Sequence, residues 1–240
     1  GANEQFVDGL QRLLRSDMLL LPLIGKYYSG EFPDITNAYA WFTDKLQIVG
    51  PNAAPYTMPH LLDIDKDFES LVNSTIPEMG TGMSGLKVLV KEIDEDSIDV
   101  GSRLASAMAD AKQYPGVPQL VLDNLTGEIL NVVYENDKLY LKTLMSIHID
   151  TCGETVETPL TIESDGTRRI IEYMPLLYAV TRHDAVYIVD EVERSIHPIL
   201  IKDIINKLSK STDTKGQLIF TTHESALLDQ DISRPDEIWF

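Results

Sequence analysis

The apolar and polar positions divide the chain into a helical opening, a β-rich middle and an end that alternates helix and strand. Phe6, Leu10, Leu13 and Leu14 recur at helical spacing toward Leu19, and Pro22 is expected to end or kink that run. A second helix is predicted over residues 35–46, carrying Tyr39, Trp41 and Phe42 as core, with a short strand over 46–49 behind it. Three prolines make 51–60 read as a loop. The pattern then predicts a helix over 64–76, a strand over 86–93 and an alanine-faced helix over 102–111. β-like runs follow at 119–123, 128–134 and 139–149, separated by turn residues at 124–127 and 135–137.

After Leu160 the reading sharpens. Ser164 or Asp165 is a good N-cap for an amphipathic helix over 168–180, in which Ile171, Met174, Leu177 and Tyr178 share a face and Pro175 should introduce a kink. A helix start of this kind presents free N–H groups and the positive end of the dipole to an anion. Val186, Tyr187, Ile188 and Val189 have the length and composition of a strand buried on both faces of a parallel sheet, and Asp190 and Glu191 follow at once. Where such a strand ends the chain turns, so both carboxylates can border one crevice, the place where open α/β sheets bind ligands. A helix over 199–208 and a second buried-strand run over 217–221 come next, ending in Thr222, His223 and Glu224. This strand–helix–strand spacing predicts neighbouring parallel strands joined by a right-handed crossover. Residues 237–240 read as one more strand. Taken singly, each feature has an ordinary alternative: a solvated acidic turn, a capped helix and a structural histidine.

Charge and composition narrow the classes. The chain carries 38 acidic and 20 basic residues, a net charge of −18, of which 24 acidic and 11 basic lie up to Leu160. Such a surface repels phosphate backbones and argues against direct nucleic-acid binding by this chain. No apolar run approaches a membrane span, and Glu4 and Asp8 stand where the basic region of a secretory signal would be. Cys152 is the single cysteine, which excludes an internal disulfide or cysteine zinc site and makes a reducing cytoplasm the expected setting.

Two glycine patterns resemble phosphate loops and fail on context. Gly80, Gly82 and Gly85 match G-x-G-x-x-G, but a β-prone run follows them instead of a helix. Gly25-Lys26 resembles the end of a Walker A loop, yet Leu20 stands at its first glycine and Tyr27 at its magnesium-binding hydroxyl.

The succession ESDGTRR, VYIVDEVERSIHP, QLIFTTHESALLD and RPDEIWF, over residues 161–240, resembles the C-terminal half of an ABC-type ATPase. It is most similar to the AAA/ABC-like ATPases of the OLD (overcoming lysogenization defect) and phage-resistance group, with SMC and RecF proteins as more distant relatives. The resemblance implies an α/β fold: a P-loop NTPase core with a mostly parallel sheet and flanking helices, plus an inserted α+β region. The expected organisation is a helical and strand part of the core at 1–58, an acidic insertion or arm at 59–160 and a C-terminal ATPase lobe at 161–240.

Roles come from the same resemblance. Ser164 and Gly166 match the signature motif, whose hydroxyl and N–H groups contact the γ-phosphate of ATP across a homodimer interface. Asp165 replaces the small residue usual there. Asp190 matches the Walker B aspartate that holds Mg2+ through water, and Glu191 the carboxylate that orients or deprotonates the attacking water. Residues 193–197 stand where the D-loop crosses to the partner, and His223 matches the switch histidine that senses the γ-phosphate. Walker A is missing from these residues, so the chain is expected to be a fragment, nearly inactive alone, of an ATPase that controls a nuclease, toxin or nucleic-acid transaction, in phage defence or nucleic-acid maintenance. The alternative is a degenerate, non-hydrolysing ATPase fold that serves as a protein-interaction module.

Overall fold

A computed structural model describes residues 7–11, 14–15, 17–28, 30–50, 57–95, 102–123, 127–212 and 214–239. Helices α1 (Leu20–Tyr27) and α2 (Pro33–Ala40) precede a π-helical turn (Trp41–Lys45) and strand β1 (Leu46–Val49). Then come α3 (Met58–Ile64), α4 (Lys66–Thr75), β2 (Gly85–Glu92), α5 (Arg103–Gln113), β3 (Gln119–Leu122), β4 (Ile129–Glu135), β5 (Lys138–Ile149) and β6 (Thr155–Pro159). Helix α6 (Asp165–Arg182), β7 (Val186–Val189), α7 (Pro198–Lys210) and β8 (Gln217–Phe220) complete the set.

Strands β1, β7 and β8 pair in parallel in that order, with α7 as the crossover between β7 and β8 that the spacing predicts. Alternation gives this sheet two unlike faces. Val49, Val189 and Phe220 lie in one register row, and they pack into a cluster with Ile170 and Met174 of α6 and Ile201 and Ile204 of α7. On the opposite face the register aligns Ile48, Ile188 and Ile219, and Ile48 is 73% exposed and Ile219 44%. The outer edge of β8 has no neighbouring strand among the described residues. The arrangement is mixed α/β around a parallel sheet, as the expected core requires.

The second sheet is antiparallel, in the order β2-β5-β4-β3 with β6 also on β5. Asn136 and Asp137 close the β4–β5 hairpin with φ of 49° and 61°, as a two-residue turn between right-twisted strands requires. Helix α5 covers one face through Ala107, Met108 and Ala111 against Val121 and Val132. The other face meets α3, where Lys142 is only 1% exposed and its ammonium lies 2.8 Å from Asp63, 3.2 Å from Glu135 and 3.2 Å from Nδ1 of His60. Burial first, and the Lys142 charge second, hold the His60 imidazole below its ordinary range.

Several expectations need correction. Pro22 does not end a helix but sits in the first turn of α1, where its missing N–H costs nothing. Pro59 is likewise in the first turn of α3, so helix begins inside the stretch read as loop. The helix expected over 64–76 is α4, which starts two residues later: Ile64 ends α3, and Asp65 caps α4, its carboxylate accepting from the N–H groups of Asp67 and Phe68 and from the Tyr178 hydroxyl at 2.8 Å. Residues 235–237 form a tight helical turn and 238–239 are not strand. Strand β6 was not expected from the pattern, and the dividing point at 58/59 falls within α3. The helix expected around Phe6 and Leu13 lies partly outside the described residues; 7–11 are helical. Helices α3 and α4 bury Met58, Leu62, Phe68 and Val72 in the same cluster as α6 and α7.

Candidate functional site

Strands β7 and β8 end side by side, and one residue organises the segments beyond both ends. The Thr221 hydroxyl donates to Oδ1 of Asp190 at 2.6 Å and accepts from the Glu191 N–H at 2.9 Å. Its backbone N–H donates to Val189 and its carbonyl accepts from Val192, so Thr221 engages four consecutive residues across the ladder. Asp190 in turn donates its N–H to the Val49 carbonyl of β1. Glu191 has a φ of 49°, a left-handed conformation that costs a non-glycine residue about 1 kcal/mol and persists only where neighbours over-determine it. The Thr221 contacts on either side do so.

The loop at 192–197 is anchored by Val192 and Ile196, 2% and 6% exposed, with Arg194 and Ser195 between them exposed. Helix α6 holds it from one side. The Tyr173 hydroxyl donates to the Val192 carbonyl at 3.0 Å, and a Cβ on Gly166 would stand 3.1 Å from the Ser195 carbonyl. On the other side the Glu193 carboxylate accepts from the His223 backbone N–H at 2.8 Å. Burial alone would raise the Glu193 carboxyl. Hydrogen bonds from the His223 N–H, the Thr222 hydroxyl and its own N–H outweigh that and hold it below the usual glutamate range. His197 is exposed and caps α7, its Nδ1 accepting from the Ile199 N–H.

Asp190, Glu191 and His223 thus lie just past the C-terminal ends of two hydrogen-bonded strands. Ser164 and Gly166 stand at the start of α6. Ser164 caps that helix by accepting from the Thr167 N–H at 3.1 Å, and Asp165 pairs with Arg168. Among the described residues Ser164 has no hydrogen bond to Asp190, Glu191 or His223; α6 reaches that edge through Tyr173 and through the approach of Gly166 to Ser195. The sequence pattern singles out neither Thr221 nor Glu193. A cavity of about 120 Å³ walled by Met58, Pro59, Leu144, Arg168 and Ile171 lies apart from the strand ends and includes none of the three residues there.

The donors at this edge suit one half of a nucleotide–metal site. Asp190 uses one oxygen on Thr221 and has no other partner among the described residues, and hard oxygen donors of this kind suit magnesium. No group of three or more His, Cys, Asp or Glu side chains forms a metal cage among the described residues. Magnesium seldom uses one, since water and phosphate oxygens supply most of its ligands. Phosphates are another matter: Asp190, Glu191 and Glu193 repel them, and no G-x-x-x-x-G-K-[ST] cradle occurs in the 240 residues. Among the described residues, no helix is long and apolar enough to cross a membrane.

The family described as "AAA domain, putative AbiEii toxin, Type IV TA system" matches residues 33–229. It is a family of P-loop ATPase-like domains, which in general bind nucleotide and use magnesium. Comparison with curated proteins gave no match.

Proposed function

We propose, proceeding from the fact that this chain belongs to that AAA-domain family, that the edge bearing Asp190, Glu191 and His223 is the hydrolytic half of an ATP site. The observation that carries this is the pair of adjacent carboxylates locked by Thr221 at the end of β7. A scaffold needs neither the paired carboxylates nor the left-handed backbone at Glu191. Asp190 is the residue that would hold magnesium, which when bound neutralises charge on the phosphate oxygens. Glu191 accepts the proton of the attacking water, and His223 donates to a γ-phosphate oxygen and so reports its presence. Asp190 and Glu191 then correspond to the Walker B pair of the ABC-like and OLD-like ATPases.

The cationic phosphate cradle belongs to a segment outside these 240 residues. Two features leave room for it: the edge of β8, unpaired among the described residues, and the open face of Ile48, Ile188 and Ile219, since parallel sheets are covered on both faces. A strand on that edge, followed by a helix on that face, would bring a phosphate loop beside Asp190. Ser164 and Gly166 serve a second copy, so that nucleotide drives dimerisation, and the antiparallel sheet is an inserted arm that meets an effector. A reducing cytoplasm, with defence against phage as the process, fits the exposed thiol of Cys152 and the resemblance.

The test compares three proteins: the 240-residue chain, the polypeptide with its phosphate-binding segment, and that polypeptide with Glu191→Gln. The chain alone should show no turnover, because positioning and charge neutralisation supply most of phosphoryl-transfer catalysis. The longer protein should hydrolyse ATP with magnesium, and the Gln variant should accumulate as an ATP-bound dimer in sedimentation. Turnover by the chain alone would mean the phosphate site is misplaced. A longer protein that neither binds nor hydrolyses ATP would favour an interaction module, for which the exposed Leu120 and Leu122 on edge strand β3 provide a surface.

A further inference from the structure

We infer that Glu193 is a positioning residue that links the loop at 192–197 to His223, so that displacement of the loop by a partner subunit changes where the switch histidine stands; this rests on the ATP-site reading above. The loop has two sets of contacts and Glu193 connects them. Helix α6 touches it through Tyr173 on the Val192 carbonyl and through the close approach of Gly166 to Ser195. The strand-end segment of β8 touches it through the His223 N–H on the Glu193 carboxylate, 2.8 Å long and charge-assisted. Arg194 and Ser195, between these attachments, are exposed and available to another copy, and Ser195 has a φ of 61° that glycine or asparagine would hold more easily. Thr222 bonds the Glu224 N–H within the switch segment, so among the described residues the Glu193 bond is what refers the His223 backbone to the loop. The position of the His223 ring then tracks the loop.

Amide hydrogen exchange on the 240-residue chain tests the link without any nucleotide. Glu193→Ala should raise exchange at the His223 amide about tenfold, the scale of one lost hydrogen bond, and leave Ile188 and Ile219 in the sheet unchanged. Glu193→Gln, which keeps an acceptor oxygen, should restore most of the protection. Unchanged exchange at His223 in the Ala variant overturns the inference. Should the Ala variant lose protection throughout the sheet, Gln decides: it must speed His223 selectively, by less than Ala, or the link does not exist. In the longer polypeptide Glu193→Ala should lower kcat at unchanged KM for ATP, with Gln intermediate; equal kcat in all three overturns the link to the switch. Absence of turnover in the unmutated protein would refute the ATP-site reading while the exchange result still reports on the Glu193 bond.

Discussion

Replacing Thr221 with valine keeps the side chain's shape and removes the hydroxyl that donates to Asp190 and accepts from Glu191. The position is exposed, so water replaces part of what is lost, and Thr221→Val should cost about 0.5–1.5 kcal/mol in denaturant unfolding. Its larger effect should fall on Glu191, whose φ of 49° relies on that bond. A shifted Glu191 amide resonance with an unchanged Ile188 would show it. Glu193 carries a pH dependence of definite sign. Its carboxyl lies below the usual range in the folded chain, so folding favours the ionised form. That contribution is complete above the unfolded value of about 4.3 and is lost as pH falls through the lower folded value. Thermal melts of the unmutated chain and of Glu193→Gln should therefore differ at pH 6 and converge below the folded value. A gap that widened on acidification would contradict the assigned bonds.

Among elements, the turn from α6 into β7 and the entry to β8 meet at Gly216. Its N–H donates to the Val180 carbonyl, and a Cβ there would stand 2.7 Å from the Ala185 carbonyl and 2.8 Å from that of His183. Backbone cannot retreat from a methyl group as a flexible side chain can, so Gly216→Ala should cost about 1–3 kcal/mol and lower Tm by several degrees. Strands β7 and β8 were legible because short apolar runs, VYIV and LIF, between polar turns match the demand of a parallel sheet. Strand β6 was not, since Thr155–Pro159 is short and polar and takes its order from Met145 to Ile149 of β5. The prolines misled in the opposite direction: a ring that breaks a helix interior is welcome in its first turn, and only the helix start tells the two apart. At the site, the acidic pair and the histidine were visible by type and order. Thr221 was hidden because a threonine at a strand end reads as ordinary β propensity, and Glu193 because nothing local shows that its acceptor role is met by an N–H thirty residues later.

For the whole molecule, the open isoleucine face and the charge of −18 oppose each other. Repulsion keeps copies apart at low salt, whereas at 1 M the Debye length of about 3 Å removes it and leaves apolar attraction. The 240-residue chain should therefore associate more as salt rises. Ile48→Lys should suppress that in sedimentation and leave Tm nearly unchanged, because Ile48 is 73% exposed. Salt-independent association would place the contact elsewhere. The parallel sheet also has a temporal consequence, because Leu46 pairs with Val186, 140 residues later in the chain. At roughly 5–20 residues per second, a ribosome leaves β1 without its neighbour for about 7–30 s, while the β4–β5 hairpin closes within microseconds of its emergence. Loop-closure entropy imposes the same order on refolding from denaturant, so the antiparallel sheet should gain protection in pulse labelling before β1 and β7 do. The edge bearing Asp190, Glu191 and His223 then forms only after the antiparallel sheet, and until β7 is made the side of β1 that meets Val186 to Val189 stays unpaired, a template for wrong pairing.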